Sequence, residues 1–175
     1  MTAEGSNEVL ALVVVESVFG NTRAVADAVA EGMRDAGADV EVVDVTEAPA
    51  VLPVGVELLV VGGPTHAFSM SRPSTRADAL KQAHALQGAA KADIGIREWI
   101  AAAEPDGRVR VVTFDTRVRK ALIPGSAARS AAKALGERGF EQATRGETFW
   151  VEDTPGPLRP GEEQRARDWG RELVG

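Results

Sequence analysis

Residues 9–15 (VLALVVV) form an unbroken apolar run rich in β-branched side chains, the pattern of a strand covered on both faces. Val25, Ala26, Val29, Ala30 and Met33 then recur at helical spacing, so a strand, a turn and a helix follow one another. Val40–Val45, Val56–Gly63 (VELLVVGG) and Val109–Phe114 (VRVVTF) predict a second, third and fourth strand. Phe140–Val151 predicts a fifth, interrupted near Arg145 and Gly146. Helical patterns fall at Arg76–Leu86, Ile96–Ala103, Ala127–Arg138 and, after the Pro-rich turn TPGPLRPG, Gly161–Leu173. Strands alternating with helices through right-handed crossovers make a parallel sheet with helices on both faces. There is no internal repeat, and the length predicts one domain over residues 8–174 behind a short flexible N-terminus, residues 1–7.

The turn between the first strand and its helix, SVFGNT at residues 17–22, sets hydroxyls, an amide and backbone N–H groups at a positive helix end, which suits a phosphate. The same residues also suit a plain capping turn, with Asn21 or Thr22 as N-cap and Gly20 supplying a positive φ. Position favours the ligand: in open α/β sheets, sites form at the carboxyl ends of strands where the winding direction reverses.

Ser17-Val18-Phe19-Gly20-Asn21-Thr22 resembles the first loop of the flavodoxin-like family, which runs hydroxyl, any residue, hydroxyl, Gly, Asn, Thr; four of five comparable positions match. The succession of strands carries the resemblance across nearly the whole chain. It implies a doubly wound five-stranded parallel α/β sheet of order 2-1-3-4-5 with FMN at the switch point. Ser17, Asn21 and Thr22, with the backbone amides of Val18, Phe19, Gly20 and Asn21, would hold the FMN phosphate. Phe19 replaces a hydroxyl whose bond to a charged oxygen is worth roughly 1.5–3 kcal/mol, which implies weaker FMN binding than in a typical member.

Directly after the third strand, GGPTHAFSMSRPSTR (residues 62–76) falls where a flavin ring would lie and is similar to the flavin loop of flavodoxin-like NAD(P)H:quinone oxidoreductases. Gly62 and Gly63 would let backbone approach the ligand, and Pro64, Thr65, His66 and Phe68 would contact the ring, although Phe68 and Met70 also read as core plugs. After the fourth strand, Asp115 and Thr116 occupy the third cofactor-binding position, followed by Arg117, Arg119 and Lys120. Typical flavodoxins place an aromatic there, usually Tyr, often among acids; this chain has no Tyr. Its three cations either face a reduced, anionic flavin or form a solvated basic turn. Trp99, Trp150 and Trp169 read as packing residues. Gln87–Ala92 reads as a break between two helices in a long connection: a lid, a partner surface or only a connection.

The resemblance therefore implies an FMN electron carrier. The alternative is an FMN-dependent NAD(P)H:quinone-type reductase, with His66 as the candidate catalytic residue and Arg72 or Arg117 binding an anionic substrate. A third reading is a flavodoxin-shaped binding module without FMN. Partners would be a redox protein or a small-molecule electron acceptor.

Composition narrows the field. Without cysteine there is no disulfide or thiolate chemistry, and with only His66 and His84 as imidazoles no metal site is expected. A net charge of −6 disfavours nucleic acid and, for a carrier, suggests basic redox partners. No apolar run suits membrane insertion, and MTAEGSNE lacks signal-peptide character, so a cytoplasmic location is expected.

Overall fold

The computed structural model describes residues 8–84, 93–119 and 124–175. The expected N-terminal tail, the break at 87–92, the end of the second helical pattern and Lys120 lie outside the described residues. In chain order the elements are β1 (Leu10–Val15), α1 (Asn21–Asp35), β2 (Asp39–Asp44), β3 (Leu58–His66), β4 (Ser69–Met70) and α2 (Pro73–His84). They continue with α3 (Ile96–Ala102), β5 (Arg110–Val118), α4 (Ala127–Arg138), β6 (Gln142–Val151) and α5 (Glu162–Val174).

The parallel strands lie in the order β2-β1-β3-β5-β6, with Val13 registered between Val42 and Val60, and Val60 in turn beside Val112. The sheet has six strands rather than the five expected. The addition is β4, which pairs antiparallel with the end of β3 through Thr65↔Met70 and His66↔Ser69. Its two residues are too short for any periodic signal, and its turn uses Ala67 (φ 45°) and Phe68 (φ 73°), where a hairpin ordinarily signals itself by Asn-Gly.

Alternation along the strands divides the core. Val13, Val15, Phe114 and Phe149 pack with Val25, Val29 and Met33 of α1 on one face, and Leu12, Val14, Leu59 and Val61 pack with Ile96, Trp99 and Leu135 on the other. Trp169 closes the first layer against Phe114 and Phe149, at centroid distances of 6.2 and 5.9 Å. The interruption expected near Arg145 and Gly146 is a register shift: Thr113 pairs with Arg145 but Asp115 with Thr148, and β6 runs on. Gly62 and Gly63 serve packing instead of ligand approach. A Cβ on Gly62 would stand 2.0 Å from Phe114 Cζ, and one on Gly63 would stand 2.8 Å from Ile96 Cδ1.

α1 and α5 meet through two further glycines. A Cβ on Gly32 would lie 1.9 Å from the Arg167 carbonyl oxygen, and one on Gly170 would lie 2.1 Å from that of Val29. Arg167 and Arg171 fasten the rim of this contact to Asp35, each at 2.9 Å. Gly32→Val is expected to force the helices apart and cost about 1–3 kcal/mol, the usual penalty of overpacking. Urea unfolding should show a lower midpoint at unchanged slope; an unchanged midpoint would mean that the helices slide freely. Among the described residues no helix is long and apolar enough to cross a membrane.

Candidate functional site

A small cleft, partly open to solvent, lies at the carboxyl edge of the sheet. β1 lies between β2 and β3, and the direction in which successive strands are added reverses there, so the cleft occupies the switch point. One wall is the β1–α1 loop, with Ser17, Val18, Phe19, Asn21 and Thr22. The opposite side is built from Pro64, Thr65 and His66 at the end of β3 and Thr116, Arg117 and Val118 at the end of β5, closed by Val151 and Thr154.

The loop geometry follows from its sequence. Gly20, at φ 91°, is the N-cap of α1, so neither Asn21 nor Thr22 takes the capping role of the plain-turn reading. Only glycine adopts this backbone without strain, and a Cβ there would meet nothing within 4 Å, so the space beside it is open. Ser17 Oγ accepts the Gly20 N–H at 3.2 Å, and Asn21 Nδ2 donates to the Pro155 carbonyl at 3.2 Å, tying the loop to the β6–α5 connection. The buried Thr22 hydroxyl lies 2.8 Å from that of Thr116. That pair has two protons and uses one internally, which leaves one O–H to donate to an anion. Two hydroxyl-bearing residues, an amide and the first N–H groups of a 15-residue helix form a donor set that fits a phosphate.

Nine of the twelve expected cofactor-binding residues line this cleft: Ser17, Val18, Phe19, Asn21, Thr22, Pro64, Thr65, His66 and Thr116. Gly20 shapes the loop from its exposed apex. Asp115 lies outside the lining, fully buried behind Thr65. Its Oδ2 accepts from Thr65 Oγ1 (3.0 Å), Ser126 Oγ (2.6 Å) and the Ala128 N–H (3.0 Å), pinning the positive end of α4 to β5. Thr65 Oγ1 also accepts the Ala127 N–H at 3.0 Å, so its proton is already committed. Phe68 is neither core plug nor cleft lining: it stands 54 % exposed at the hairpin tip. Met70, by contrast, is buried in the core.

His66 Nδ1 lies 3.2 Å from Thr75 Oγ1. That hydroxyl accepts the Arg72 N–H at 2.9 Å and lies 3.1 Å from the Arg72 carbonyl; when its proton goes to that carbonyl, Nδ1 carries the ring proton and Nε2 is the acceptor. Burial, and secondarily the Arg76 charge, hold the His66 pKa below its ordinary value, so the ring is neutral at neutral pH. Sequence reasoning missed Val118, Val151 and Thr154: β5 runs four residues past its expected end to reach Val118, while Val151 ends β6 and Thr154 lies in the turn after it. It also missed Trp150, half-buried with the guanidinium carbons of Arg117 and Arg119 at 5.7 and 6.0 Å from its ring centroid.

Beneath the loop a buried polar cluster joins three elements. Glu16 Oε1 accepts from Ser71 Oγ (2.8 Å) and the Ile96 N–H (2.9 Å), with Arg76 Nη1 at 4.0 Å. Arg76, 1 % exposed, donates to Glu98 at 2.6 Å and to Ser71 Oγ at 2.8 Å, so it is a structural cation and not a surface anion binder. Burial pushes the Glu16 carboxyl above the usual carboxylate range against the opposing pull of those donors. Glu98 is also penalised by burial, but the Arg76 and Gly95 hydrogen bonds prevail and hold it below that range.

No protein-family model and no curated protein matches the sequence. Solved structures match over nearly its whole length. A flavodoxin from the domain Archaea is 19% identical, with a TM-score of 0.61, over 95% of this chain and 96% of that one. The Streptococcus pneumonia TIGR4 flavodoxin gives the same identity and TM-score over 95% and 98%. Rubredoxin oxygen:oxidoreductase from Desulfovibrio gigas is 15% identical, with a TM-score of 0.54, and this chain spans 35% of its length. The chain has the flavodoxin-like fold.

Proposed function

We propose that this protein binds FMN in the switch-point cleft and acts as an electron carrier. The observation that carries the reading is the convergence on one cleft of the Ser17–Thr22 loop and the ends of β3 and β5. FMN, when bound, supplies one- and two-electron redox chemistry. The chain's own residues bind, orient and shield it. Ser17, Asn21, Thr22 and the first amides of α1 hold the phosphate, Thr116 orients Thr22, and Val18, Phe19, Pro64, Val118 and Val151 exclude water. The test is a visible titration with FMN. A shifted, saturable flavin spectrum is expected, and an additive spectrum of free FMN would leave the binding-module reading.

A second reading, an FMN-dependent reductase, is favoured by one observation: the neutral His66 lines the cleft. It predicts that NADPH bleaches the FMN-loaded protein under argon, and that His66→Gln slows quinone reduction by about 10²-fold, the low end of a general acid–base contribution, at unchanged FMN content. Loss of FMN in that variant would make His66 a binding residue, and no bleaching of the parent leaves the carrier.

A further inference from the structure

The net charge of −6 is unevenly placed. Many arginines elsewhere are neutralised on the surface: Arg23 by Asp27, Arg159 by Glu152, Arg165 by Glu147 and Glu162, and Arg167 and Arg171 by Asp35. The carboxyl edge of the sheet differs. Arg72 after β4, Arg119 after β5 and Arg129 in the first turn of α4 are all exposed, and none takes part in an ion pair among the described residues. Arg117 adds a fourth cation on the cleft wall, its guanidinium donating to the Gly125 carbonyl. Of the acids beside the cleft in sequence, Glu16 and Asp115 are buried, whereas Glu152, paired with Arg159, and Asp153 stand exposed after β6.

The same edge carries an exposed apolar side chain at the β3–β4 hairpin tip. Phe68, 54 % exposed, is held at φ 73°, a backbone that an aromatic L-residue adopts at a cost, and a Cβ on Gly125 would lie 2.1 Å from the Phe68 carbonyl oxygen. Aromatic and arginine side chains are the types that dominate interface energetics. With a screening length of about 8 Å at physiological salt, a partner at this edge feels the four arginines, opposed by Glu152 and Asp153, more than the acids farther away.

We propose that the cleft face, with exposed Phe68 and with Arg72, Arg119 and Arg129 on the segments that follow β4 and β5, docks an acidic electron-transfer protein. This reverses the basic partner that net charge alone suggests. The electron-transfer character of the partner rests on the FMN reading; the docking itself does not, and the experiment separates the two. The ¹⁵N-labelled full chain, with and without added FMN, is titrated with an acidic [2Fe–2S] ferredoxin and, separately, with a basic c-type cytochrome, following amide shifts. Ferredoxin is expected to shift residues around Phe68, Arg72, Arg119 and Arg129, with affinity falling as salt rises, and cytochrome is expected to leave them unmoved. Arg72→Glu with Arg129→Glu should weaken ferredoxin binding about ten-fold. Phe68→Asn, which suits the left-handed backbone, should weaken it without disturbing the remaining spectrum. Shifts without FMN binding would uphold docking and remove the cofactor reading; FMN binding without ferredoxin shifts would overturn docking alone. Stronger shifts with cytochrome, or the same shifts with anionic phosphatidylglycerol vesicles and none with ferredoxin, would also overturn it.

Discussion

Replacing Arg76 with Met should lower the unfolding free energy by about 3–5 kcal/mol, the cost of stripping a buried charge of its partner. Arg76 and Glu16 have side chains 2% and 5% exposed, and Glu98, the third member, is 32% exposed. Met fills much of the volume but supplies no donor, so Ser71 and Glu98 lose hydrogen bonds and Glu16 faces no cation. The pH dependence has a definite sign. The folded-state pKa of Glu16 is raised, so its contribution is fully present below the ordinary carboxyl value of 4.5 and is lost as pH rises through the folded value. Glu98, held low, works oppositely: its contribution is present above 4.5 and is lost as pH falls through its folded value. Arg76→Met should therefore steepen the decline of stability on raising the pH from 4.5, and Glu16→Gln should remove the Glu16 part of it. Denaturant unfolding across that range measures both. A loss under 1 kcal/mol at all pH values would mean that water enters and solvates the cluster.

The second large effect concerns the phosphate. Asn21→Ala combined with Thr22→Ala should weaken FMN roughly 100-fold or more, since hydrogen bonds to a charged group are worth about 1.5–3 kcal/mol each. Riboflavin, which has the same ring and no phosphate, should weaken by no more than a few fold. The double variant also loses the Asn21 bond to Pro155 and the Thr22 bond to Thr116, so a general loosening of the loop is the competing explanation. Loosening would weaken both flavins alike, and parallel losses in fluorescence titrations would refute the phosphate placement.

The elements follow from local patterns. Val13 and Val60 sit in runs that only a strand buried on both faces accommodates, and Val25, Val29 and Met33 form a stripe that only a helix packed on that sheet buries. Gly20 was legible for a related reason, because a tight strand-to-helix turn needs one residue of positive φ. Period, length and turn chemistry are properties of a few neighbouring residues, so the parallel sheet and the first loop of the cleft could be read in the chain.

The rest depended on pairs distant in sequence. Asp115 reads as a ligand-facing acid until Thr65, Ser126 and the Ala128 N–H surround it, at separations of 50, 11 and 13 residues. Gly62 reads as a place for a ligand until the Phe114 ring occupies the space above it. Nothing in the local pattern marks Arg76 as buried, yet Glu98 and Glu16 close over it, and Phe68 reads as a ring contact or a core plug until a two-residue strand turns it outward. The sequence by itself determined where backbone order is favourable, because propensity and periodicity are local. Tertiary structure alone decided which polar groups are neutralised and which face the cleft, because desolvation and hydrogen bonding depend on what else fills the surrounding few ångströms.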